Sequence, residues 1–193
     1  MPYIVGEAVY LREYRIEDLE EIHKWRTLDE ICWWTAAYIW PESLEETRSF
    51  VEAQIDNADS ENRKFVICRK QDDGYVGHIG YEHLDLRRRN TELGIVIGQP
   101  QSLSKGMGTE AIGLFLKVCF EELVLHRVGL RVLRSNHRGV RCYEKSGFRE
   151  EGTLRDWHFS RGSWHDLLLM GILEEEYRAS LEGDSSTATG EHP

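Results

Sequence analysis

The sequence is short of the usual covalent and hydrophobic anchors. It has 4 cysteines and 4 prolines in 193 residues. Cys32, Cys68, Cys119 and Cys142 lie far apart, and no C-x-x-C occurs. That spacing speaks against a disulfide scaffold and reads as the reduced thiols of a cytoplasmic protein. No run approaches the ~20 apolar residues that a membrane span requires. The opening Met1-Pro-Tyr-Ile-Val-Gly-Glu-Ala has no signal-peptide pattern. Positive charge is also in deficit: 24 basic residues against 34 acidic ones leave a formal charge of −10. A general nucleic-acid binder draws its affinity from cationic side chains, so that class is excluded. An acidic field instead steers cationic partners such as amines inward.

What is present suits one soluble domain, spanning residues 1–182, with a tail at 183–193. The tail has no apolar anchor and is expected to be disordered. The apolar fraction of 40% and charged fraction of 30% are those of an ordinary globule. Val9–Tyr14 reads as a first strand, followed by a helical stripe of Ile16, Leu19, Ile22 and Arg26. Ser43 and Glu46 have the spacing of a capping box ahead of Phe50, Val51 and Ile55. Strands are expected at 64–69, 75–82 and 91–97. A helix over 106–123 leads to a strand at 127–134 and a short helix at 136–146. Gly147 sits where a left-handed helix stop belongs. Arg161-Gly162 reads as a two-residue hairpin turn, placing His158 opposite His165 and Phe159 opposite Trp164. The order predicts a three-layer α/β fold, with helices on both faces of a mixed sheet. Residues 91–134 supply its parallel pair and crossover helix.

Two stretches could carry chemistry. In the first, a strand ending at Ile97 is followed by Leu103-Ser-Lys-Gly-Met-Gly108 and at once by a helix. Free N–H groups at a helix N-terminus attract anions, and glycines let a phosphate approach the main chain. A tight strand-to-helix turn would need the same glycines. In the second, Asn136 and Tyr143 lie two helical turns apart on one face. An Asn N-cap and a core Tyr would also explain them.

Together these stretches resemble the GNAT superfamily of acetyl-CoA-dependent N-acetyltransferases. The family's pyrophosphate loop reads Gln/Arg-x-x-Gly-x-Gly/Ala, matched from Leu103 to Gly108 except at its first position. Its later motif, Asn-x-x-Ala-x-x-x-Tyr-x-x-x-Gly-Phe, runs here from Asn136 to Phe148, with Gly139 in the Ala place. The ribosomal-protein-alanine and spermidine acetyltransferase branches are the most similar in look. The resemblance implies a GNAT-type fold, a mostly antiparallel sheet with a central parallel pair, and many relatives pair as homodimers.

It further implies direct attack of an amine on the thioester of acetyl-CoA. The acceptor is a peptide N-terminal α-amine or a small polyamine-like amine, and no metal is needed. Tyr143 is nominated to protonate the departing thiolate. Glu92 and Glu82 are the candidate bases, and solvated strand carboxylates are the alternative reading of both. Ile95, Val96 and Ile97 correspond to the strand that pairs with the pantetheine arm. The loop Leu103, Ser104, Lys105, Gly106, Met107, Gly108 and Thr109 would hold the phosphates, largely through backbone N–H groups. Asn136 corresponds to a residue that bonds the cofactor arm, and Arg138 and Arg141 could add charge. Trp33, Trp34 and Trp40 fall where the family walls its acceptor site, where core packing would use them equally well.

Overall fold

The alternating and helical periods of the sequence fold as follows in a computed structural model, which describes residues 4–35, 41–56 and 61–187. The side chains of residues 34, 35 and 183–187 lie outside that description. The strands are β1 (Ile4–Val5), β2 (Val9–Arg12), β3 (Arg63–Arg69), β4 (Tyr75–Asp85), β5 (Asn90–Ile97), β6 (Arg127–Leu133), β7 (Arg149–Ser160) and β8 (Ser163–Leu173). The helices are α1 (Leu19–Arg26), α2 (Asp29–Thr35), α3 (Leu44–Asp56), α4 (Met107–Lys117), α5 (His137–Lys145) and α6 (Glu174–Thr187). A π-helical turn, Val118–Glu122, extends α4.

All eight strands join one sheet in the order β1-β2-β3-β4-β5-β6-β8-β7. Every pairing is antiparallel except β5 with β6. Alternation along the strands feeds two cores. On one face Ile79, Leu93, Leu130 and Met170 pack against Ile112, Phe115 and Phe120 of the α4 segment and Tyr177 of α6. On the other face Val66 and Cys68 pack against Ile22 and Trp25 of α1 and Val51 of α3. The expected three-layer arrangement and mixed sheet are therefore present.

The local signals act as their chemistry dictates. Ser43 and Glu46 exchange capping-box bonds, with Ser43 N donating to Glu46 Oε2 at 2.7 Å and Glu46 N to Ser43 Oγ at 3.2 Å. Gly147 is left-handed at φ 92, and Arg161 and Gly162 both have positive φ, as a tight hairpin turn requires. His158 faces His165 and Phe159 faces Trp164. Two features differ from the sequence reading. The aromatic segment around Trp33 begins within a helix, α2, that the sequence periods do not predict. The chain also ends its described part in α6, which runs to Thr187, past the expected tail boundary at Gly183. Three glutamates in the first turn of α6 complement its helix dipole. Among the described residues, no helix is long and apolar enough to cross a membrane.

Candidate active site

The parallel pair is short. β5 and β6 are in register at only three positions, Asn90↔Arg127, Thr91↔Val128 and Glu92↔Gly129. Beyond Glu92, β6 continues to Leu133 paired with β8 alone, while β5 continues to Ile97 paired with β4 alone. The two strands diverge into a wedge with Glu92 and Gly129 at its apex. Its β5 wall leaves the main chain of Leu93 to Ile97 without a strand partner on that side. An extended amide-bearing chain can pair with such an edge. The candidate positions Ile95, Val96 and Ile97 all lie on this wall.

At the open end of β5 the chain turns into α4. Ser104 and Gly106 both adopt left-handed backbone, φ 60 and φ 81, and Gly106 is the N-cap. The first bond of the α4 turn runs from Glu110 N to Gly106 O. The N–H groups of Met107, Gly108 and Thr109 therefore lack intrahelical acceptors, as helix geometry demands. A Cβ on Gly106 would meet nothing within 4 Å, so the space in front of the loop is open. These features fit a phosphate group approaching the main chain. Leu103 is half-buried, whereas Ser104 and Lys105 are exposed beside the loop.

Helix α5 flanks the loop. Thr109 Oγ1 lies 3.3 Å from Cys142 Sγ, joining the two helices at this point. Tyr143 packs into the α4-side core, with its ring edge-on to Phe148 at 6.0 Å. Burial, with the nearby Cys142 adding to it, raises its phenol above the ordinary tyrosine value, so it stays a proton donor at neutral pH. Asn136 caps α5 by accepting from Gly139 N at 2.9 Å. A Cβ at position 139 would come within 2.8 Å of Asn136 Nδ2, so the glycine makes room for the cap. Arg138 and Arg141 are exposed on the same helix, and Arg141 Nε donates to His137 O.

The opposite face of the sheet carries the carboxylates. Glu82 and Glu92 are direct cross-strand partners in β4 and β5. Glu82 is 3.1 Å from Lys64 Nζ, and Glu92 is 2.9 Å from Arg131 Nη2. Tyr143 and Glu92 thus lie on different sides of the sheet, and the wedge is where the two sides communicate. Neither cation was singled out from the sequence. The alternation of Arg127, Gly129 and Arg131 with buried Val128, Leu130 and Val132 was the available signal for a polar face here.

Trp33 stands on α2 next to the β7–β8 hairpin. Its ring lies edge-on to His165 at 5.1 Å, and the Arg161 guanidinium sits 4.4 Å above it. Arg161 also pairs with Asp29 at 2.5 Å. Helix α2 is thereby tied to the hairpin tip. The side chain of Trp34 and all of Trp40 lie outside the described residues.

Comparison with known proteins settles the family. The Acetyltransferase (GNAT) domain model matches residues 8–149. The chain belongs to the GNAT acetyltransferase family. A spermidine N(1)-acetyltransferase of Vibrio cholerae is 31% identical over 176 residues, covering 90% of this chain and 97% of that protein. A prophage-derived uncharacterized N-acetyltransferase of Bacillus subtilis is 30% identical over 177 residues, covering 91% and 95%. Among solved structures, the Vibrio cholerae spermidine N-acetyltransferase in complex with CoA and spermine superposes with a TM-score of 0.80 at 28% identity. That match covers 90% of this chain and 99% of that one. This GNAT chain is an N-acetyltransferase with acetyl-CoA as its acyl donor. The wedge, the glycine loop and the free N–H groups of α4 are residues suited to hold that donor.

Proposed function

We propose that this protein acetylates the primary amine of a small molecule by direct attack on acetyl-CoA. The observation that carries the reading is the wedge at Glu92 and Gly129, with Tyr143 on one side of the sheet and Glu92 on the other. The free edge of β5 would hold the thioester arm, and the N–H groups of Gly106, Met107, Gly108 and Thr109 would hold its phosphates. Lys105, Arg138 and Arg141 supply the positive charge that Leu103 cannot.

An alkylamine arrives protonated, because its pKa is near ~10.4. Glu92, directly or through a water, takes one proton. The nitrogen lone pair then forms the N–C bond at the thioester carbonyl, and the C–S bond breaks. The phenol of Tyr143 gives its proton to the departing thiolate, and the second proton leaving the acylated nitrogen restores the phenol through water. Backbone N–H groups on the β5 wall stabilise the oxyanion, a contribution of a few kcal/mol in comparable sites. Glu82 faces Glu92 across the ladder and pairs with Lys64. Asn136 orients the arm through its amide nitrogen, since its oxygen serves the α5 cap.

We take the acceptor to be small; the tie between α2 and the hairpin holds Trp33 beside His165 and Arg161. Trp33 is assigned to the wall of the acceptor site. The test is thiol release from acetyl-CoA with butylamine, spermidine and an alanine-starting peptide as acceptors. Release stimulated by the small amines is expected. Release stimulated by the peptide alone would replace a small-molecule acceptor with a protein terminus, and CoA binding with no release would leave a binding module.

A further inference from the structure

The carboxylate face holds a cavity of about 320 Å³ at the apex of the wedge. Gly129 forms part of its floor, and Thr91, Glu92, Arg127, Arg131 and Glu151 are among its walls. Its charge is balanced, two carboxylates against two guanidinium groups, in a chain whose formal charge is −10. A negative surface steers amines toward the protein, but local charge decides what fits once they arrive. A wall with no net negative charge offers no added attraction to an acceptor that carries several positive charges.

The two ion pairs differ in how much they leave open. Arg127 and Glu151 form a bidentate fork, Nη1 to Oε1 and Nη2 to Oε2. Each holds the other charged, lowering the Glu151 carboxyl and raising the Arg127 guanidinium from their ordinary values. This pair is saturated. Arg131 and Glu92 instead share a single oxygen: Arg131 Nε at 3.0 Å and Nη2 at 2.9 Å both meet Glu92 Oε2. Among the described residues, Glu92 Oε1 and Arg131 Nη1 have no partner. A carboxylate oxygen and a guanidinium nitrogen without partners therefore flank the pair at the apex, with Nη1 on the guanidinium corner turned away from Glu92.

We infer that the acceptor is a short-chain amino acid, a primary amine with its own carboxylate a few bonds away. The inference rests on the acetyl-transfer reading above. The acceptor ammonium meets Glu92 Oε1, the group that takes its proton, and the acceptor carboxylate meets Arg131 Nη1. Arg131 then reads the substrate while it orients Glu92. The chemistry is unchanged: the amine nitrogen bonds to the acetyl carbon, the C–S bond breaks, and the released thiol carries the second proton.

The experiment measures thiol release from acetyl-CoA with matched acceptors of similar amine basicity. γ-Aminobutyrate is compared with butylamine, β-alanine with propylamine, and spermidine stands beside them. The expected result is a kcat/KM about 10–100-fold higher for each carboxylate-bearing amine than for its partner, the worth of one charge-assisted hydrogen bond. Arg131→Gln, checked as folded by circular dichroism, collapses that ratio toward one. Arg131→Lys, which keeps the charge but not the fork, retains part of it. Release that is equal or faster with butylamine or spermidine overturns the amino-acid acceptor while leaving acetyl transfer intact. No release with any amine, including butylamine, overturns the acetyl-transfer reading and this inference with it.

Discussion

Glu82 and Glu92 face each other directly across β4 and β5, yet each is bound to a cation from the strand on its far side, Lys64 of β3 and Arg131 of β6. Like charges in opposed positions destabilise a ladder. The flanking cations relieve that cost and leave two ion-paired carboxylates beside the wedge. Their neighbours differ, because Glu92 borders the apex and Glu82 sits one strand further from it.

Glu92→Gln is therefore expected to lower kcat by about 10²-fold or more, in the range of a lost general base. Glu82→Gln should change kcat by only a few-fold. Steady-state rates of thiol release check both. Equal losses in the two variants would move the base role from one residue to the pair.

Tyr143→Phe keeps the ring that packs against Phe148 and removes only the proton donor. A fall in kcat of about 10²–10⁴-fold is expected, with CoA affinity by calorimetry close to that of the unaltered protein. Undiminished turnover would remove Tyr143 from the mechanism.

Gly106→Ala forces a side chain into a backbone at φ 81, although no atom obstructs its Cβ. The cost is conformational, about 1–2 kcal/mol. It should appear as a melting temperature lower by a few degrees together with a raised KM for acetyl-CoA. A raised KM with unchanged melting would point to a direct steric clash with the phosphates instead.

Gly139→Ala restores the residue usual at this motif position, and helix propensity alone predicts a gain of up to ~1 kcal/mol. The new Cβ would crowd Asn136 Nδ2 at 2.8 Å and displace the α5 cap, which costs about 0.5–2 kcal/mol. The variant is expected to show no gain in melting temperature. A clear gain would mean that the cap adjusts freely.

His78 is buried among Tyr14, Trp25 and Phe50, with Lys64 and Arg26 nearby. Burial first, and those cations second, push its pKa down to about 3 from the ordinary 6.5. The folded state therefore holds His78 neutral. Its contribution is fully present above pH 6.5 and is lost progressively as pH falls toward 3. Between pH 6.5 and 5 the loss is about 2 kcal/mol. Urea titrations of His78→Phe should show a shallower fall over that interval; an identical slope would assign the acid sensitivity to other groups.

The local patterns of the sequence were enough to determine much of this protein. Ser43 with Glu46, Gly147 after α5, and Arg161-Gly162 each act within a few residues, so their spacing alone specified the cap, the stop and the turn. Alternation in β5 separated Glu92, Gly94 and Val96 from Leu93, Ile95 and Ile97. The glycine loop and the run from Asn136 to Phe148 sufficed to indicate the family.

Only the tertiary structure decided what those residues face. That β5 and β6 part company after Glu92 depends on which strands they pair with elsewhere, and no local period encodes it. Arg131 reaches Glu92 across 39 positions of chain, and Arg161 reaches Asp29 across 132. Such contacts arise when the sheet brings distant segments into register, so composition and spacing cannot show them. The acidity of the whole chain is visible in the sequence, but the balanced charge at the wedge apex is a consequence of strand order.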